Sequence, residues 1–214
     1  MTVQVDEENS LAQYVASRIK TTVNKFRENP EYFFTESDLH SYCYMKLFSS
    51  DLEIRLESKR NQFLVHREYP TNFRYSKEAL FFPDYMEEDL DSGTGSRGHY
   101  DLVVVSPEFA KTASYVEVRN KDIAELRARR DRGADTSSEL LFAIEFKYMI
   151  RDNANYIAEV IKDNHKLRMA KRLQAKHAIN LVFCDGDFSH TEKVRSATKN
   201  ASDEIISILS LIHI

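Results

Sequence analysis

Two charges interrupt an otherwise apolar run in the stretch SELLFAIEFKYM, residues 138 to 149. A run of this kind is typical of a strand buried in a sheet, yet Glu145 and Lys147 lie inside it, two residues apart. Side chains alternate between the two faces of a strand, so the pattern predicts Glu145 and Lys147 on one face and Phe146 and Tyr148 on the other. Because a lone buried carboxylate is costly to keep ionised, the charged face must open onto a cleft or its groups must pair.

The size and charge of the chain limit the class of protein. With 214 residues and 42% hydrophobic content, the chain can bury one sizeable core, and we expect a single domain over residues 1–214. A net charge of -4 argues against a uniformly basic binder, so an anionic partner would be held by a local patch. Cys43 and Cys184 lack metal-ligand spacing, which indicates reduced packing residues.

No segment suggests export or membrane insertion. The first ten residues are acidic and lack an apolar run, unlike a signal peptide. No stretch reaches the roughly 18 apolar residues that span a bilayer. We therefore expect a cytoplasmic protein without a membrane partner.

Hydrophobic periodicity predicts an alternation of helices and strands. Helices are expected over residues 10–28, from Thr35 onwards with the Thr35 side chain as the N-cap, in KDIAELRARRDR, over 152–176, and over 191–212 around Ile205, Ile206, Leu209 and Leu211. Strands are expected in NQFLVHREYP, ending at Pro70, in HYDLVVV, in LLFAIEFKYM and in HAINLVFCDG. Residues 71–98 and 107–138 are predicted to be insertions. This order favours an α/β fold with a mixed central β-sheet flanked by helices.

A second carboxylate is expected near the first. Asp101 follows a Gly-rich loop and is the only acid in the apolar strand HYDLVVV, so two strands of the sheet each carry a carboxylate. Carboxylate oxygens suit a hard divalent ion such as Mg²⁺, which can polarise a phosphate. A nearby lysine can orient water and offset the negative charge that builds up at phosphorus. The grouping of Asp101, Glu145 and Lys147 therefore points to phosphodiester chemistry.

Asp101 followed by Glu145-Phe146-Lys147 resembles the PD-(D/E)XK nuclease superfamily. The resemblance implies a restriction-endonuclease-like core of one helix, three strands, a helix and a further strand (αβββαβ), here over residues 35 to 185 with the two insertions set aside. It also implies that Asp101 and Glu145 bind Mg²⁺ or Mn²⁺ and that Lys147 assists the attacking water. A glutamate on the leading helix often joins such a metal site, and Glu36 is the matching candidate.

Other positions in the chain also match parts of the Pro-Asp and Glu-x-Lys motif. A second Glu-x-Lys triplet, Glu57-Ser58-Lys59, lies in a polar stretch, and a literal Pro83-Asp84 lies in an acidic loop, so neither has the strand context. The assignment of Asp101 requires residues 107–138 to be an insertion. Glu68 is an alternative to Glu36 for completing the metal site.

Each candidate also has a purely structural interpretation. Glu145 and Lys147 can form a salt bridge at a sheet edge, Asp101 can cap a turn, and Glu36 can complement a helix dipole. Two basic clusters are candidates for nucleic-acid contacts, although a solvated face is the default for either. They comprise Arg127, Arg129, Arg130 and Arg132 in the insertion and Lys166, Arg168, Lys171, Arg172 and Lys176 on the long helix.

The sequence thus predicts a metal-dependent nuclease that acts on DNA, with a non-catalytic nuclease-fold module that binds nucleic acid or a protein as the alternative. The stretch GTGSRG lacks the ending of a phosphate-binding P-loop, no G-x-G-x-x-G follows a strand, and no serine or cysteine has a paired base. These observations exclude NTPases, dinucleotide enzymes and triad hydrolases. With one active site per chain, double-strand cleavage would require a homodimer.

Overall fold

The computed structural model describes residues 3–48, 53–55, 61–75, 96–112, 139–149, 154–184, 196 and 206–211. Its elements in chain order are helix α1 (Val3–Glu28), a 3-10 turn (Pro30–Tyr32), α2 (Glu36–Leu47), strands β1 (Glu53–Arg55), β2 (Asn61–Phe63), β3 (Val65–Tyr75) and β4 (Ser96–Val105), helix α3 (Pro107–Thr112), β5 (Leu140–Met149), α4 (Ala154–Leu173), β6 (Ala175–Cys184) and β7 (Ile206–Leu211). No helix in these ranges is long and apolar enough to cross a membrane.

A five-stranded mixed sheet forms the centre of the molecule, with strand order β3-β4-β5-β6-β7. The first three strands pair antiparallel, whereas β5, β6 and β7 run parallel. A parallel pair needs a long crossover, and α4 supplies it between β5 and β6. The two short strands β1 and β2 form a separate antiparallel pair. The predicted α/β class with a mixed sheet flanked by helices is therefore confirmed.

Helices cover the two faces of the sheet. On one face, Phe26 of α1 packs edge-on against Tyr148 and Phe183, at ring-centroid distances of 5.7 and 4.9 Å. Phe146 lies on the same face, 5.4 Å from the His40 ring of α2. On the opposite face, a small apolar cluster joins α4 to the sheet through Met149, Val160, Val182 and Cys184. The strand β5 is thus sandwiched between α1 and α2 on one side and α4 on the other.

The expectation that a strand ends at Pro70 is wrong. Strand β3 continues through Pro70 to Tyr75, and Pro70 lies opposite His99 of β4. Proline cannot donate a hydrogen bond to a neighbouring strand, and it is tolerated here because β3 is an edge strand of the sheet. The register shifts just after it, between Pro70 and Arg74.

The predicted C-terminal helix over residues 191–212 is wrong at residues 206–211, although residue 196, the other described residue of this range, is helical. Residues Ile206–Leu211 form β7, which extends the sheet parallel to β6. A short apolar run fits a strand or a helix equally well, so the available partner decides. Here the free edge of β6 is that partner, and Arg27 of α1 donates from Nε to Ser210 Oγ at 3.2 Å.

The bounds of the two predicted insertions differ from those expected from the sequence. Residues 71–75 and 96–98 belong to β3 and β4, so the first connection is shorter than residues 71–98. The second begins with helix α3, Pro107–Thr112. Residues 76–95 and 113–138 lie outside the described residues, and with them the alternative Pro83-Asp84 and the helix expected in KDIAELRARRDR.

Both cysteines are buried and free, as the sequence predicted. Burial raises the pKa of the Cys43 thiol to about 12, and it does the same for Cys184. Both side chains are therefore neutral at physiological pH. They serve as small apolar groups in the core.

A capping box fixes the start of α2, where the sequence predicted Thr35 as the N-cap. The Thr35 hydroxyl accepts a hydrogen bond from the backbone N–H of Asp38 at 3.2 Å. In return, Asp38 Oδ2 accepts from the backbone N–H groups of Thr35 and Phe34, both at 2.9 Å. These bonds satisfy backbone amides at the start of α2 and hold the chain next to Glu36 in one conformation.

We expect Thr35→Ala to lower the free energy of unfolding by about 1 kcal/mol, because the amide of Asp38 loses its side-chain acceptor and the capping box is broken. Urea denaturation followed by circular dichroism measures the loss. Thr21→Ala is the matched control: Thr21 is exposed in the middle of α1 and its hydroxyl only donates to the Ser17 carbonyl. An equal effect of the two substitutions would contradict the capping role.

Candidate active site

The strands β4 and β5 stop pairing at the point where the charged residues begin. Their backbone register runs from Val105 opposite Leu140 to Leu102 opposite Ile144. Beyond Ile144, carboxylates take the place of strand carbonyls: Phe146 N donates to Asp101 Oδ2 at 2.8 Å. Tyr148 N donates to Glu36 Oε2 at 3.0 Å. The edge of β5 is therefore opened toward Asp101 and Glu36 without leaving these amides unsatisfied.

Glu145 lies on the face of β5 that α4 covers, and it is almost fully buried, with 2% of its side chain exposed. Its Oε1 is 2.7 Å from Nζ of Lys166, on α4. Burial raises the pKa of the Glu145 carboxyl well above its ordinary value, Lys166 opposes this shift, and Asp101 adds to it. The pair with Lys166 is what makes the burial of this carboxylate tolerable.

Lys147 lies on the same face and contacts three carboxylates. Its Nζ is 3.2 Å from Glu159 Oε2, 3.4 Å from Glu36 Oε2 and 3.8 Å from Asp163 Oδ2. Although burial by itself lowers the pKa of the Lys147 ammonium, Asp163, Glu36 and Glu159 raise it above its ordinary value. Lys147 is therefore a positively charged hydrogen-bond donor at neutral pH and not a base.

Asp163 links the two lysines. One of its oxygens, Oδ2, faces Lys147, and the other, Oδ1, is 3.7 Å from Lys166 Nζ. Burial raises the pKa of the Asp163 carboxyl, and the two lysines oppose the shift. Carboxylates outnumber lysines in this cluster, which comprises Glu36, Asp101, Glu145, Glu159 and Asp163 with Lys147 and Lys166. We call these side chains the carboxylate–lysine cluster.

Glu159 and Asp163 were not among the residues predicted from the sequence, and Lys166 was predicted to contact nucleic acid. A signal for them exists: Glu159, Asp163 and Lys166 are spaced i, i+4, i+7, which places them on one face of α4. Because β5 also carries charges on one face, this spacing indicates that the charged face of α4 packs against the charged face of β5.

Tyr148 fastens the start of α2 to β5 at two points. Its backbone N–H binds Glu36, and its hydroxyl donates to the Phe33 carbonyl at 3.1 Å. Burial raises the pKa of the Glu36 carboxyl, whereas Lys147 and the Tyr148 amide oppose the shift. Glu36 is therefore held at the opened edge of β5, as a member of the cluster.

A histidine borders the cluster on the side of β3. The His40 Nδ1 is 3.3 Å from Arg67 Nη2, and since a guanidinium can only donate, Nδ1 must accept and the ring must be neutral. Burial and the Arg67 charge lower the pKa of His40. Glu68, next to Arg67, has a φ of 51° and an exposed side chain opposite the β4 segment that contains Asp101. Glu68 thus lies beside the cluster and within electrostatic reach of His40.

The residues expected to contact nucleic acid differ in their exposure to solvent, and some lie outside the described residues. Lys166 is buried within the cluster, which is not the exposed position expected of a phosphate contact. Lys171 is partly exposed and its Nζ donates to the Lys176 carbonyl, while Arg172 is exposed on the last turn of α4. Arg127, Arg129 and Arg130 lie outside the described residues.

The donor chemistry of the cluster fits a hard divalent ion, because Asp101, Glu145 and Glu36 offer carboxylate oxygens from a strand, a second strand and a helix. In the conformation described, however, no three His, Cys, Asp or Glu side chains among the described residues are arranged to hold an ion. The lysines lie between the carboxylates, so ion binding requires a rearrangement of side chains. Comparison with known proteins adds no assignment: no family model, curated protein or solved structure matches the chain.

The Lys166–Glu145 pair should be strongly coupled. In a double-mutant cycle with Lys166→Met and Glu145→Gln, we expect a coupling energy of about 1–3 kcal/mol from urea denaturation, because each single change leaves a buried partner alone. The matched control is the cycle of Lys147→Met and Glu159→Gln. Glu159 is half exposed, so we expect less than about 1 kcal/mol. Equal coupling in the two cycles would contradict the difference in burial.

His40 should titrate below the ordinary histidine range. Because its folded-state pKa is lowered, the unfolded state binds the proton more readily, and the free energy of unfolding should decrease as pH falls from about 6.5. Burial and the Arg67 charge are the two largest causes of the low His40 pKa. Arg67→Gln removes the charge, so the His40 pKa should rise, although burial still keeps it below the ordinary value. Titration by NMR measures the His40 pKa in the wild type and in the variant, with His165 as an internal reference that should not change. Urea denaturation at several pH values measures the free energy of unfolding. An unaltered His40 pKa in the variant would refute the contact.

Proposed function

We propose that the protein is a metal-dependent nuclease of the PD-(D/E)XK type that hydrolyses phosphodiester bonds of DNA. In this proposal Asp101, Glu145 and Glu36 hold Mg²⁺ or Mn²⁺, and Lys147 acts on the attacking water and the phosphate. One observation carries the proposal: β4, β5 and α2 bring these four side chains together where the two strands separate. They are separated along the chain by up to 111 positions, from residue 36 to residue 147.

The order of elements also supports the nuclease proposal. When the short elements β1, β2 and α3 are set aside, α2, the strands β3, β4 and β5, helix α4 and strand β6 give the order helix, three strands, helix and strand. This is the order that the resemblance to the PD-(D/E)XK superfamily implies. The long chain segment between Asp101 and Glu145 contains α3 and residues outside the described ranges, and β4 and β5 are nevertheless neighbours in the sheet.

The protein residues have separable tasks in this reaction. Asp101 and Glu145 reach the same region from neighbouring strands, and Glu36 reaches it from the start of α2. The chemistry that a divalent ion supplies when bound is polarisation of a phosphoryl oxygen. The Lys147 ammonium donates hydrogen bonds, so it can orient a water molecule and stabilise negative charge that develops on the phosphate. Lys171 and Arg172, on the last turn of α4, are candidates for contacts with the DNA backbone.

A non-catalytic module that binds nucleic acid or a protein partner is the second candidate. The observation that favours it is the internal neutralisation of the cluster, since Glu145, Glu36 and Asp163 all have lysine partners. A chain that had lost catalysis would be stable with such pairs. The excess of carboxylates over lysines favours the nuclease, because it leaves net negative charge for a cation.

Incubation with Mg²⁺ or Mn²⁺ and a panel of plasmid, linear duplex, single-stranded and branched DNA, with RNA alongside, tests the proposal. We expect wild-type cleavage and a fall in rate of about 100-fold or more in Lys147→Ala and Glu145→Gln, since each removes a group that stabilises charge in the transition state. Asp101→Asn should have a similar effect.

The control for the cleavage assay is Lys20→Ala, which removes an exposed positive charge from α1. It should cleave as the wild type does. Each variant is first compared with the wild type by circular dichroism, so that loss of activity is not loss of the fold. If no substrate is cut, or if Lys147→Ala and Glu145→Gln cut as fast as the wild type, the non-catalytic module becomes the better proposal.

A further inference from the structure

Lys166 is bound in the way that a small cation is bound. Its Nζ is 2.7 Å from Glu145 Oε1, 2.9 Å from the His99 carbonyl oxygen and 3.7 Å from Asp163 Oδ1. These oxygens come from β5, β4 and α4 respectively. Only 7% of the residue is exposed. A buried ammonium surrounded by two carboxylates and a carbonyl occupies a site with the donor types that Mg²⁺ and Mn²⁺ accept.

The other lysine of the cluster is held differently. Among the described residues, the close contacts of the Lys147 ammonium are with carboxylates, at 3.2 to 3.8 Å, and two of these, Glu36 and Glu159, are substantially exposed. Lys166 makes shorter contacts and binds a backbone carbonyl as well. The two ammonium groups therefore have distinct positions: Lys147 lies toward the exposed side of the cluster, and Lys166 lies at its buried end.

We propose that the Lys166 ammonium competes with the divalent cation for Glu145, the carboxylate that both would bind, and that metal binding displaces Lys166 from Glu145. This inference rests on the proposed function, because Glu145 is one of the ligands in the proposed metal site. It explains how the cluster has the ligands of a metal site and yet, among the described residues, no open group of three ligands. It also explains how Glu145 remains buried on β5 in the absence of metal.

The side chain of Lys166 is suited to such a displacement. Four methylene groups connect its ammonium to α4, so the charge can move while the helix stays in place. Asp163 lies one turn before Lys166 on the same helix and contacts both lysines. It offers the displaced ammonium a carboxylate partner near its original position. Binding of metal and release of Lys166 from Glu145 are then one exchange of cations, in which the lysine lowers the apparent affinity for metal.

Replacement of Lys166 by a neutral residue removes the competitor. We expect Lys166→Gln to bind Mn²⁺ at least about tenfold more tightly than the wild type, which corresponds to about 1.4 kcal/mol. Gln retains a hydrogen-bond donor for Glu145 and His99. The matched control is Lys162→Gln, which makes the same change of net charge one turn earlier on α4. Isothermal titration calorimetry at a fixed pH gives both affinities, and weaker or equal binding by Lys166→Gln relative to the control overturns the proposal.

A second measurement uses the wild-type protein and does not depend on the folding of a variant. With ¹⁵N-labelled lysine, the buried and hydrogen-bonded Lys166 ammonium should give a slowly exchanging Nζ resonance in the metal-free protein. Saturating Mg²⁺ should shift this resonance or abolish its protection from exchange, with Lys166→Gln giving the assignment. A Lys166 resonance that stays unchanged while Mg²⁺ binds overturns the displacement.

The two proposals can fail separately. If the wild type cleaves DNA and the Lys166 resonance does not respond to Mg²⁺, the displacement is refuted and the nuclease stands. If neither the wild type nor Lys166→Gln binds Mg²⁺ or Mn²⁺, the metal site is refuted, and the proposed function and the displacement fall together.

Discussion

The burial of Glu145 is the constraint on which the arrangement of this molecule depends. A carboxylate with 2% exposure in the middle of a central strand requires a cation at bonding distance. Lys166 meets that requirement from α4, and the helix consequently lies over β5 with Glu159, Asp163 and Lys166 facing the sheet. The apolar contact of Val160 with Met149 and Val182 continues the same interface. The crossover helix is thus positioned by polar and apolar contacts together.

The separation of β4 from β5 places Asp101 and Glu36 at the edge of the carboxylate–lysine cluster. Strands normally satisfy each other's amides, but here the amides of Phe146 and Tyr148 bind Asp101 and Glu36. Because these acceptors are side chains, β5 keeps its hydrogen bonds while β4 moves away from it. The same acids that open the sheet edge also supply negative charge beside Glu145, as the electrostatic effect of Asp101 on the Glu145 pKa indicates.

Local patterns in the sequence predicted much of this structure, and long-range contacts account for what they missed. The alternation of β5 correctly separated Glu145 and Lys147 from Phe146, and Thr35 was recognised as a cap. The pairing of β7 with β6 and the passage of β3 through Pro70 depend on strand neighbours that no local pattern contains. The same holds for Lys166: its spacing on α4 is visible in the sequence, but the contact with Glu145 appears only when α4 crosses β5.

The two hydrogen bonds of Tyr148 to Phe33 and Glu36 join parts of the chain that are synthesised at very different times. These bonds connect positions 115 and 112 residues apart, and the partner of Glu145 on α4 emerges later still. Contacts of such sequence separation form late in folding, because closing the chain between them costs entropy before any contact repays it. A nascent chain that ends before Lys166 therefore lacks the assembled cluster. The carboxylate–lysine cluster can therefore form only after α4 has been synthesised, because Asp163 and Lys166 both lie on that helix.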